Sequence, residues 1–565
     1  MGIPSYFAHI VRNHRKIIKQ LSNSTLDGKR MNNLYLDCNS FIYEAHQFVN
    51  TNQNNVFKTM KGKPTDNNSA FEYNIIKQVV TNLSKCIKEI SPDKRIFIAF
   101  DGVAPMAKLD QQRNRRYMTG FQEQTKPMDE TNDNGNKYNW NRSAITPGTT
   151  FMHNLGIELS KQFSDPTEYG VEKIIVSTSE ESGEGEHKLY EYIRNNADFH
   201  KNTNTLIYGI DADLIMLSIN HLHISENIFL YRETPEFIKS IDKTLNPTEK
   251  YVLDIPLLAR HIISELSTLD DNKDIDINKI SLKNNIIFDY IFICFFLGND
   301  FLPHFPALNI RTNGIANLIN AYKHVFQGTN DSLTVDREIN WKNVRKYVDH
   351  LASNEHDFII EEYVHRNKIS KRVRYEGSNR NNNNTGSSND NNKQDENLLL
   401  PIKERAVELY INPYDAGWES RYYKGLFKTK INDDRRKEIS TNYLEGLEWT
   451  MKYYSTGCAD WRWSYNYYYP PLLTDMIKYI PYSNTTFIPT KPKNPVSPLT
   501  QLSYVLPPTS MELLPADLRK RLLKEHPEWY IGNYVFLWSF CKFFWEAHVD
   551  LPHIDIDVLE KIVDQ

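Results

Sequence analysis

The stretch Asn33-Leu-Tyr-Leu-Asp37 is a short apolar run that ends in a carboxylate, and its pattern recurs through the first 330 residues. Four later runs are also apolar at most interior positions, as strands covered on both faces are. The predicted strands are Asn33–Asp37, Arg95–Phe100, Lys173–Ser177, Thr205–Ile210 and Asn227–Tyr231. Amphipathic helical stretches such as Tyr73–Ile90 and Gly185–Arg194 lie between them. This alternation predicts an α/β fold with a mostly parallel central sheet flanked by helices.

Carboxylates stand where the predicted strands end. They are Asp37 and Asp101 after the first two strands, Glu184 and Glu186 after the third, Asp211 and Asp213 after the fourth, and Asp300 after a later apolar segment. Ligands of parallel sheets bind beyond the carboxyl ends of the strands. We therefore expect these acids to meet at one edge of the sheet.

A single Asp after a strand is commonly a helix cap, and Asp213 could cap a helix over Leu214–Leu217. Repetition across five segments instead favours one shared site. Crowded carboxylates raise each other's pKa, and hard divalent cations relieve that repulsion. The pattern predicts a catalytic site for two Mg²⁺ or Mn²⁺ ions that hydrolyses phosphodiesters. His187 and Lys188 beside the acids are supporting groups, donors to the transition state, or ordinary helix-surface positions.

A basic segment begins shortly after Asp101. In a helix, Lys108, Gln112 and Arg115 or Arg116 share one face, because they are three or four residues apart. Arg binds phosphate oxygens bidentately, and Lys adds a point charge. A solvated basic face is the alternative. The nearness of the acids favours a pocket for a terminal phosphate.

A second block, rich in Trp, Tyr and Pro, follows Leu398, and we expect it to pack against the first. Most of its rings suit a core, while one or two could stack on the bases of a single strand. The intervening Asn-rich segment carries too few apolar residues to fold and is expected to be disordered. The predicted domains are residues 1–366, the insertion 367–398, and residues 399–565.

Composition excludes several classes of protein. The net charge of −4, from 67 basic and 71 acidic residues, opposes a protein that coats nucleic acid non-specifically. The 5 cysteines are scattered without a CxxC pair, which opposes a disulfide framework or a zinc cluster and favours a reducing compartment. The longest apolar stretch, Ile286–Leu297, contains Asp289 and is too short to span a bilayer. We expect an intracellular protein, in the cytoplasm rather than the nucleus.

Several ordered motifs carry a resemblance. In the first block they are Met1-Gly-Ile-Pro-Ser-Tyr-Phe, Leu36-Asp-Cys-Asn-Ser, Phe100-Asp-Gly-Val-Ala-Pro, Gln111-Gln-Arg-Asn-Arg-Arg, Gly183-Glu-Gly-Glu-His-Lys, Gly209-Ile-Asp-Ala-Asp-Leu and Gly298-Asn-Asp-Phe-Leu-Pro-His. In the second they are Gly446-Leu-Glu-Trp, Tyr453-Tyr, Trp461-Arg-Trp, Tyr469-Pro-Pro, and Gln501-Leu-Ser-Tyr-Val-Leu-Pro with Leu513-Leu-Pro. Together they closely resemble the XRN/Rat-type 5′→3′ exoribonucleases of the flap-endonuclease, PIN-like superfamily. The chain looks like a short form without the extra C-terminal domains of the large members.

The resemblance implies processive degradation of single-stranded RNA from a 5′-monophosphate end, with release of nucleoside 5′-monophosphates. It implies that the seven acids hold two Mg²⁺ or Mn²⁺ ions and that Lys108, Gln112, Arg115 and Arg116 bind the 5′-phosphate. It also implies that Tyr43 and Trp461 stack on the terminal bases. We expect a monomer that needs no membrane, and the sequence leaves open whether a decapping or helper protein takes part.

Two other functions fit parts of the sequence. A 5′ DNA exonuclease or flap nuclease could use the same acids, although the complete second block and the phosphate pocket oppose it. A catalytically inactive RNA-binding protein is the second alternative. The presence of every expected acid opposes that function.

Overall fold

The computed structural model describes residues 2–22, 25–52, 67–124, 140–232, 245–246, 249–267, 280–282, 285–382 and 398–565. Its centre is a sheet of seven strands. These are β1 (Ile18–Leu21), β2 (Asn33–Asp37), β3 (Arg95–Ala99), β4 (Lys173–Ser177), β5 (Thr205–Tyr208), β6 (Ile228–Tyr231) and β7 (Lys250–Asp254).

The strands lie in the order β1-β7-β6-β5-β2-β3-β4. The five strands from β6 to β4 are parallel, whereas β7 and β1 add an antiparallel edge. The prediction of a mostly parallel α/β sheet is confirmed. All five predicted strands are present, within two residues of their predicted ends, and β1 and β7 were not predicted.

Helices cover both faces of the sheet. Those of eight or more residues are α1 (Tyr6–Asn13), α2 (Asn39–Thr51), α3 (Asn67–Ile90), α4 (Met106–Gln124), α5 (Thr150–Gln162), α6 (Gly185–Asn195), α7 (Asp213–Asn220), α8 (Ile255–Leu266), α9 (Ile286–Cys294), α10 (Gly314–Phe326), α11 (Trp341–Ser353), α12 (Glu355–Asn382), α13 (Trp418–Leu426), α14 (Asp433–Ser455), α15 (Pro498–Val505), α16 (Ala516–Glu525) and α17 (Ile556–Val563). Shorter helices span Ala197–His200, Leu400–Lys403, Ala406–Ile411 and Leu473–Met476, and 3₁₀ turns include Arg142–Ala144, Phe295–Leu297 and Pro508–Leu513. Two-residue strands form small hairpins at Thr25–Leu26 with Lys29–Arg30, Thr334–Val335 with Glu338–Ile339, and Phe536–Leu537 with His548–Val549.

The alternation of side chains along β2 explains the two layers of helices. Leu34 and Leu36 belong to a core that contains α2, α3 and α5. Tyr35, between them, points to the opposite core with α6 and α7. That second core continues into the Trp- and Tyr-rich block that follows Leu398, here called the second region, since its helix α14 packs against α7. The sheet and the second region therefore share one apolar interior.

One expectation was wrong in part. Residues 367–398 were expected to be disordered, but α12 runs from Glu355 to Asn382. The first part of the insertion thus continues a helix that begins within the first predicted domain, residues 1–366. Residues 383–397 lie outside the described residues.

Candidate active site

The strand ends bring the first acids together. Strand β2 lies between β3 and β5 and is parallel to both, so their carboxyl ends are adjacent. The backbone N–H of Gly185 donates to Oδ1 of Asp101 at 2.7 Å. A Cβ on Gly185 would lie 2.6 Å from Oδ1 of Asp37, so a larger residue here would displace that carboxylate. Asn39 supports the arrangement, since its side-chain amide donates to Asp101.

The remaining acids come from the starts of α6 and α7 and from the turn after α9. Glu184 stands at the N-cap of α6 without capping it, and Asp213 is the first residue of α7 rather than its cap. A Cβ on Gly2 would clash with the Asp213 carboxylate. The N–H of Gly2 donates to Oδ1 of Asp300 at 3.1 Å. The extreme N-terminus of the chain therefore closes one side of the acidic cluster.

Lys108 lies inside this cluster. Its Nζ is 2.7 Å from Oε1 of Glu184 and 2.6 Å from Oδ2 of Asp300. Burial alone would raise the pKa of Asp300, but the Lys108 ammonium holds that pKa below its ordinary value. The same carboxylates raise the pKa of Lys108 well above its usual range, so the amine stays charged. One cation thus partly neutralises a group of buried acids.

The other carboxyls are incompletely compensated. Burial, followed by repulsion from Asp101 and Asp211, raises the pKa of Asp37 well above its ordinary value. Burial and Asp213 do the same for Glu186. For Asp213 itself, burial and the Asp300 charge raise the pKa to about 7. Further positive charge at the site would therefore stabilise the ionised form of these carboxyls.

The donor atoms fit hard divalent cations. Oε2 of Glu186 and Oδ1 of Asp213 are buried and accept no hydrogen bond from any residue that the structure describes. Ligand atoms of Glu184, Glu186 and His187 lie within 4.8 Å of one another. Buried carboxylate oxygens without donors are suited to Mg²⁺ or Mn²⁺, which prefer such ligands.

A cavity of about 570 Å³ joins the acids to the basic helix. Of the predicted acids, Asp37, Asp101, Glu184, Glu186 and Asp211 line it. Lys108, Gln112, Arg115 and Arg116, the four residues assigned to the 5′-phosphate, also line it. Asp213 and Asp300 are not among its lining residues, and Asp300 instead accepts from the N–H of Gly2 and pairs with Lys108. The two predicted clusters are thus walls of a single cavity.

The second region holds the basic helix in place. Ala104 donates to the Gln501 side chain at 2.9 Å, and Met106 donates to the carbonyl of Trp461 at 3.0 Å. Arg113 donates to the carbonyls of Trp529 and Pro552. Helix α15 packs along α4, and Pro507, Thr509 and Ser510 line the cavity.

The two predicted stacking residues differ in placement. Tyr43 lines the cavity and is 47% exposed. Trp461 is 8% exposed, its ring lies 5.3 Å from Nζ of Lys493, and it is absent from the described lining of the cavity. Its carbonyl contact with Met106 places it beside the start of α4. The structure does not bring the two rings together across the cavity.

Lys188 and His187, which follow Glu186 in the chain, both make contacts beside the acids. Lys188 donates to the carbonyls of Phe100 and Thr178, both at 2.8 Å, and so ties down the backbone beside Asp101. The His187 ring stacks on Tyr453 with 3.6 Å between centroids. Neither residue is an ordinary surface position, because both are buried. Tyr453 belongs to one of the quoted motifs, but no role in the acidic site was predicted for it, since nothing in a Tyr-rich block marks one ring as facing the acids.

The fold and the site together define an α/β enzyme with an acidic centre at the carboxyl edge of its sheet. Residues 1–234 match the XRN 5′-3′ exonuclease N-terminal domain, and residues 282–415 and 403–564 match the Xrn1 helical domain. The chain therefore belongs to the XRN family of 5′-3′ exonucleases, which confirms the resemblance of its motifs. No helix among the described residues is long and apolar enough to cross a bilayer.

Curated relatives extend over nearly the whole chain. It is 27% identical to the 5′-3′ exoribonuclease 2 homolog of Drosophila melanogaster, over 98% of this chain and 70% of that protein. It is 26% identical to 5′-3′ exoribonuclease 1 of Saccharomyces cerevisiae, over 93% of this chain and 40% of that protein. For human 5′-3′ exoribonuclease 1 the identity is 28%, over 98% of this chain and 33% of the relative. The chain thus spans less than half the length of the yeast and human proteins.

Proposed function

We propose that this protein is a 5′→3′ exoribonuclease that removes nucleoside 5′-monophosphates one at a time from single-stranded RNA with a 5′-monophosphate. The observation that carries the proposal is the shared cavity, which is lined by five of the predicted carboxylates and by the four side chains predicted to bind the 5′-phosphate. A terminal phosphate held at one wall would present the first phosphodiester to the other. The names of the curated relatives support RNA as the substrate.

The basic wall suits a doubly charged terminal phosphate. Arg115 and Arg116 offer planar donor pairs, and Gln112 adds an amide beside them. Burial lowers the pKa of Arg116 to about 10, so the guanidinium remains charged at neutral pH. The second region holds the start of α4, the helix that carries these donors, so their backbone is positioned before RNA binds. Donors that are positioned in advance lose less conformational entropy on binding than flexible donors do.

We propose that the seven acids hold two Mg²⁺ or Mn²⁺ ions. When bound, the ions would supply an activated water and charge stabilisation for the leaving oxygen. The protein's own contribution is to fix the carboxylates: Gly185 and Asn39 hold Asp101, Gly2 holds Asp300, and Lys108 holds Glu184. The basic wall of the cavity would hold the 5′-phosphate so that the first phosphodiester lies beside those acids.

The exposed ring of Tyr43 at the mouth of the cavity suits stacking on a terminal base. The Trp461 side chain would have to rotate away from Lys493 before its ring could stack on a base beside Tyr43. We propose Tyr43 as the first stacking contact and keep Trp461 as its expected partner. Successive stacking and release of this kind would let the protein act processively as a monomer.

The test compares one RNA sequence with a 5′-monophosphate, a 5′-hydroxyl or a 5′-triphosphate, together with matched DNA, in Mg²⁺. We expect mononucleotide release from the 5′-monophosphate RNA alone. Cleavage of DNA in preference to RNA would favour the DNA exonuclease or flap nuclease. Binding of RNA without cleavage in Mg²⁺ or Mn²⁺ would favour an inactive RNA-binding protein, which the complete acidic cluster opposes.

A further inference from the structure

We propose that Tyr453, a residue of the second region, is a positioning residue that fixes the Glu184 carboxylate for metal binding. The Tyr453 hydroxyl donates to Oε2 of Glu184 at 2.8 Å. Both side chains are buried, with exposures of 3% for Tyr453 and 4% for Glu184. The inference rests on the proposed function, because it concerns the same acidic centre.

Tyr453 completes a two-sided hold on Glu184. The other oxygen, Oε1, lies 2.7 Å from Nζ of Lys108. One donor comes from α4 and the other from α14, so the carboxylate plane is fixed by contacts with two separate elements. An ionised carboxylate has about four lone-pair sites, so each oxygen keeps one free for a cation. The arrangement orients Glu184 without using up its ligand capacity.

The Tyr453 ring is itself held from several directions. It stacks on His187 with centroids 3.6 Å apart and on Trp449 with centroids 4.7 Å apart. The Phe301 ring lies perpendicular to it, with centroids 5.3 Å apart. Since these rings come from α6, α14 and the turn beside Asp300, the position of the hydroxyl depends on the packing of both regions. A donor fixed in this way keeps its acceptor oriented with little loss of entropy on metal binding.

A neutral donor is chemically suited to this position. The Tyr453 hydroxyl is an uncharged group that can donate its proton in a hydrogen bond to the Glu184 carboxylate. A second ammonium here would compete with the metal ions for the carboxylates, as a phenol does not. Groups that orient metal ligands typically change metal affinity or activity by about 10- to 100-fold when removed.

The test is Tyr453→Phe, with Tyr465→Phe as the matched control. Tyr465 lies in the same region, is buried, and donates its hydroxyl to the carbonyl of Tyr469 at 2.8 Å. We expect Tyr453→Phe to raise the Mg²⁺ concentration for half-maximal activity, and to lower kcat, by about 10- to 100-fold. The KM for RNA should stay within about 3-fold, because the phosphate pocket is unchanged. Tyr465→Phe should leave both metal dependence and kcat as in the wild type.

A second readout needs no catalysis. The stabilisation of the RNA-free protein by Mg²⁺ or Ca²⁺ should require a similarly higher cation concentration in Tyr453→Phe. In the Glu184→Gln background, Tyr453→Phe should change that concentration by less than about 2-fold, because the hydroxyl acts through Glu184. If the wild type cleaves no RNA, the proposed function fails, yet this titration still decides the role of Tyr453. Wild-type cation dependence in Tyr453→Phe, or unfolding of that variant, would overturn the inference.

Discussion

The Nζ atom of Lys108 lies 2.6 Å from a carboxylate oxygen of Asp300, although the two residues are 192 positions apart in the chain. The contact joins α4, which carries the residues predicted to bind the 5′-phosphate, to one acid of the cluster. Lys108 also lines the cavity and pairs there with Glu184, so a single side chain connects the two predicted clusters. Its removal should disturb the acids even when no RNA is bound.

Lys108→Met should destabilise the metal-free protein by about 3–5 kcal/mol, because it leaves Glu184 and Asp300 buried without their cation. Mg²⁺ should restore part of that loss by supplying positive charge. Denaturant unfolding with and without Mg²⁺ measures both effects. Lys85→Met is the control, since Lys85 forms only an exposed pair with Glu89. Equal stabilities of the two variants in the absence of metal would contradict the role given to Lys108.

Asp37→Asn and Asp211→Asn should each lower kcat by at least about 100-fold, because ligand loss costs no less than loss of a supporting group. The metal-free Asp37→Asn protein should be at least as stable as the wild type, since the substitution removes a charge crowded by Asp101. Single-turnover cleavage and thermal unfolding give the two values. Asp198→Asn, at an exposed pair with Lys201, is the control. Near-normal turnover in either site variant would exclude that acid from the catalytic set.

Arg116→Met should reduce the preference for a 5′-monophosphate over a 5′-hydroxyl by about 10- to 100-fold, the effect of losing one charge-assisted hydrogen bond. The preference is the ratio of kcat/KM for the two RNAs. Lys520→Met, on the exposed face of α16, should leave the ratio unchanged. A uniform loss of activity on both RNAs would instead indicate that Arg116 only supports the fold.

The acidic cluster predicts a pH-dependent response to Mg²⁺. Burial, followed by repulsion from Asp300, raises the pKa of Asp213 from 3.8 to about 7. The folded protein thus holds this proton more tightly than the unfolded chain does. Asp213 therefore lowers the free energy of unfolding as the pH rises from about 4 to about 7. The lowered pKa of Asp300 acts only in more acidic solution, outside this window.

Metal binding requires the ionised carboxyls, so stabilisation by Mg²⁺ should be greater at about pH 8 than at about pH 6. Thermal unfolding at both pH values, with and without Mg²⁺, measures the difference. Asp213→Asn should make the two increments more nearly equal. A larger Mg²⁺ effect at the lower pH would contradict the account of the cluster.

The predictable part of the site follows from one rule of sheet geometry. Asp37 and Asp101 could be placed together because parallel neighbours present their carboxyl ends at the same edge. Helical spacing likewise placed Gln112 and Arg116 on one face. Both inferences need only local pattern and the known behaviour of parallel strands.

The missed features depend on long-range packing. Helical spacing predicts the face of α4 on which Lys108 lies. It does not predict that the Lys108 side chain reaches the acids. Strand β1 is four residues long with no apolar alternation, so only its pairing with β7 makes it a strand. The Asn-rich end of α12 is helical although its composition favours disorder. Tyr453 belongs to a motif that carries the resemblance, but only the fold shows that its hydroxyl reaches Glu184.

The central claim is that cleavage begins at a free 5′ end. The most direct measurement compares a linear RNA bearing a 5′-monophosphate with a covalently closed circle of the same sequence, in Mg²⁺ and with Asp211→Asn as the blank. We predict that the wild type converts the linear RNA to mononucleotides and leaves the circle intact. Cleavage of the circle at a comparable rate would show internal cutting and would contradict the 5′→3′ exoribonuclease account.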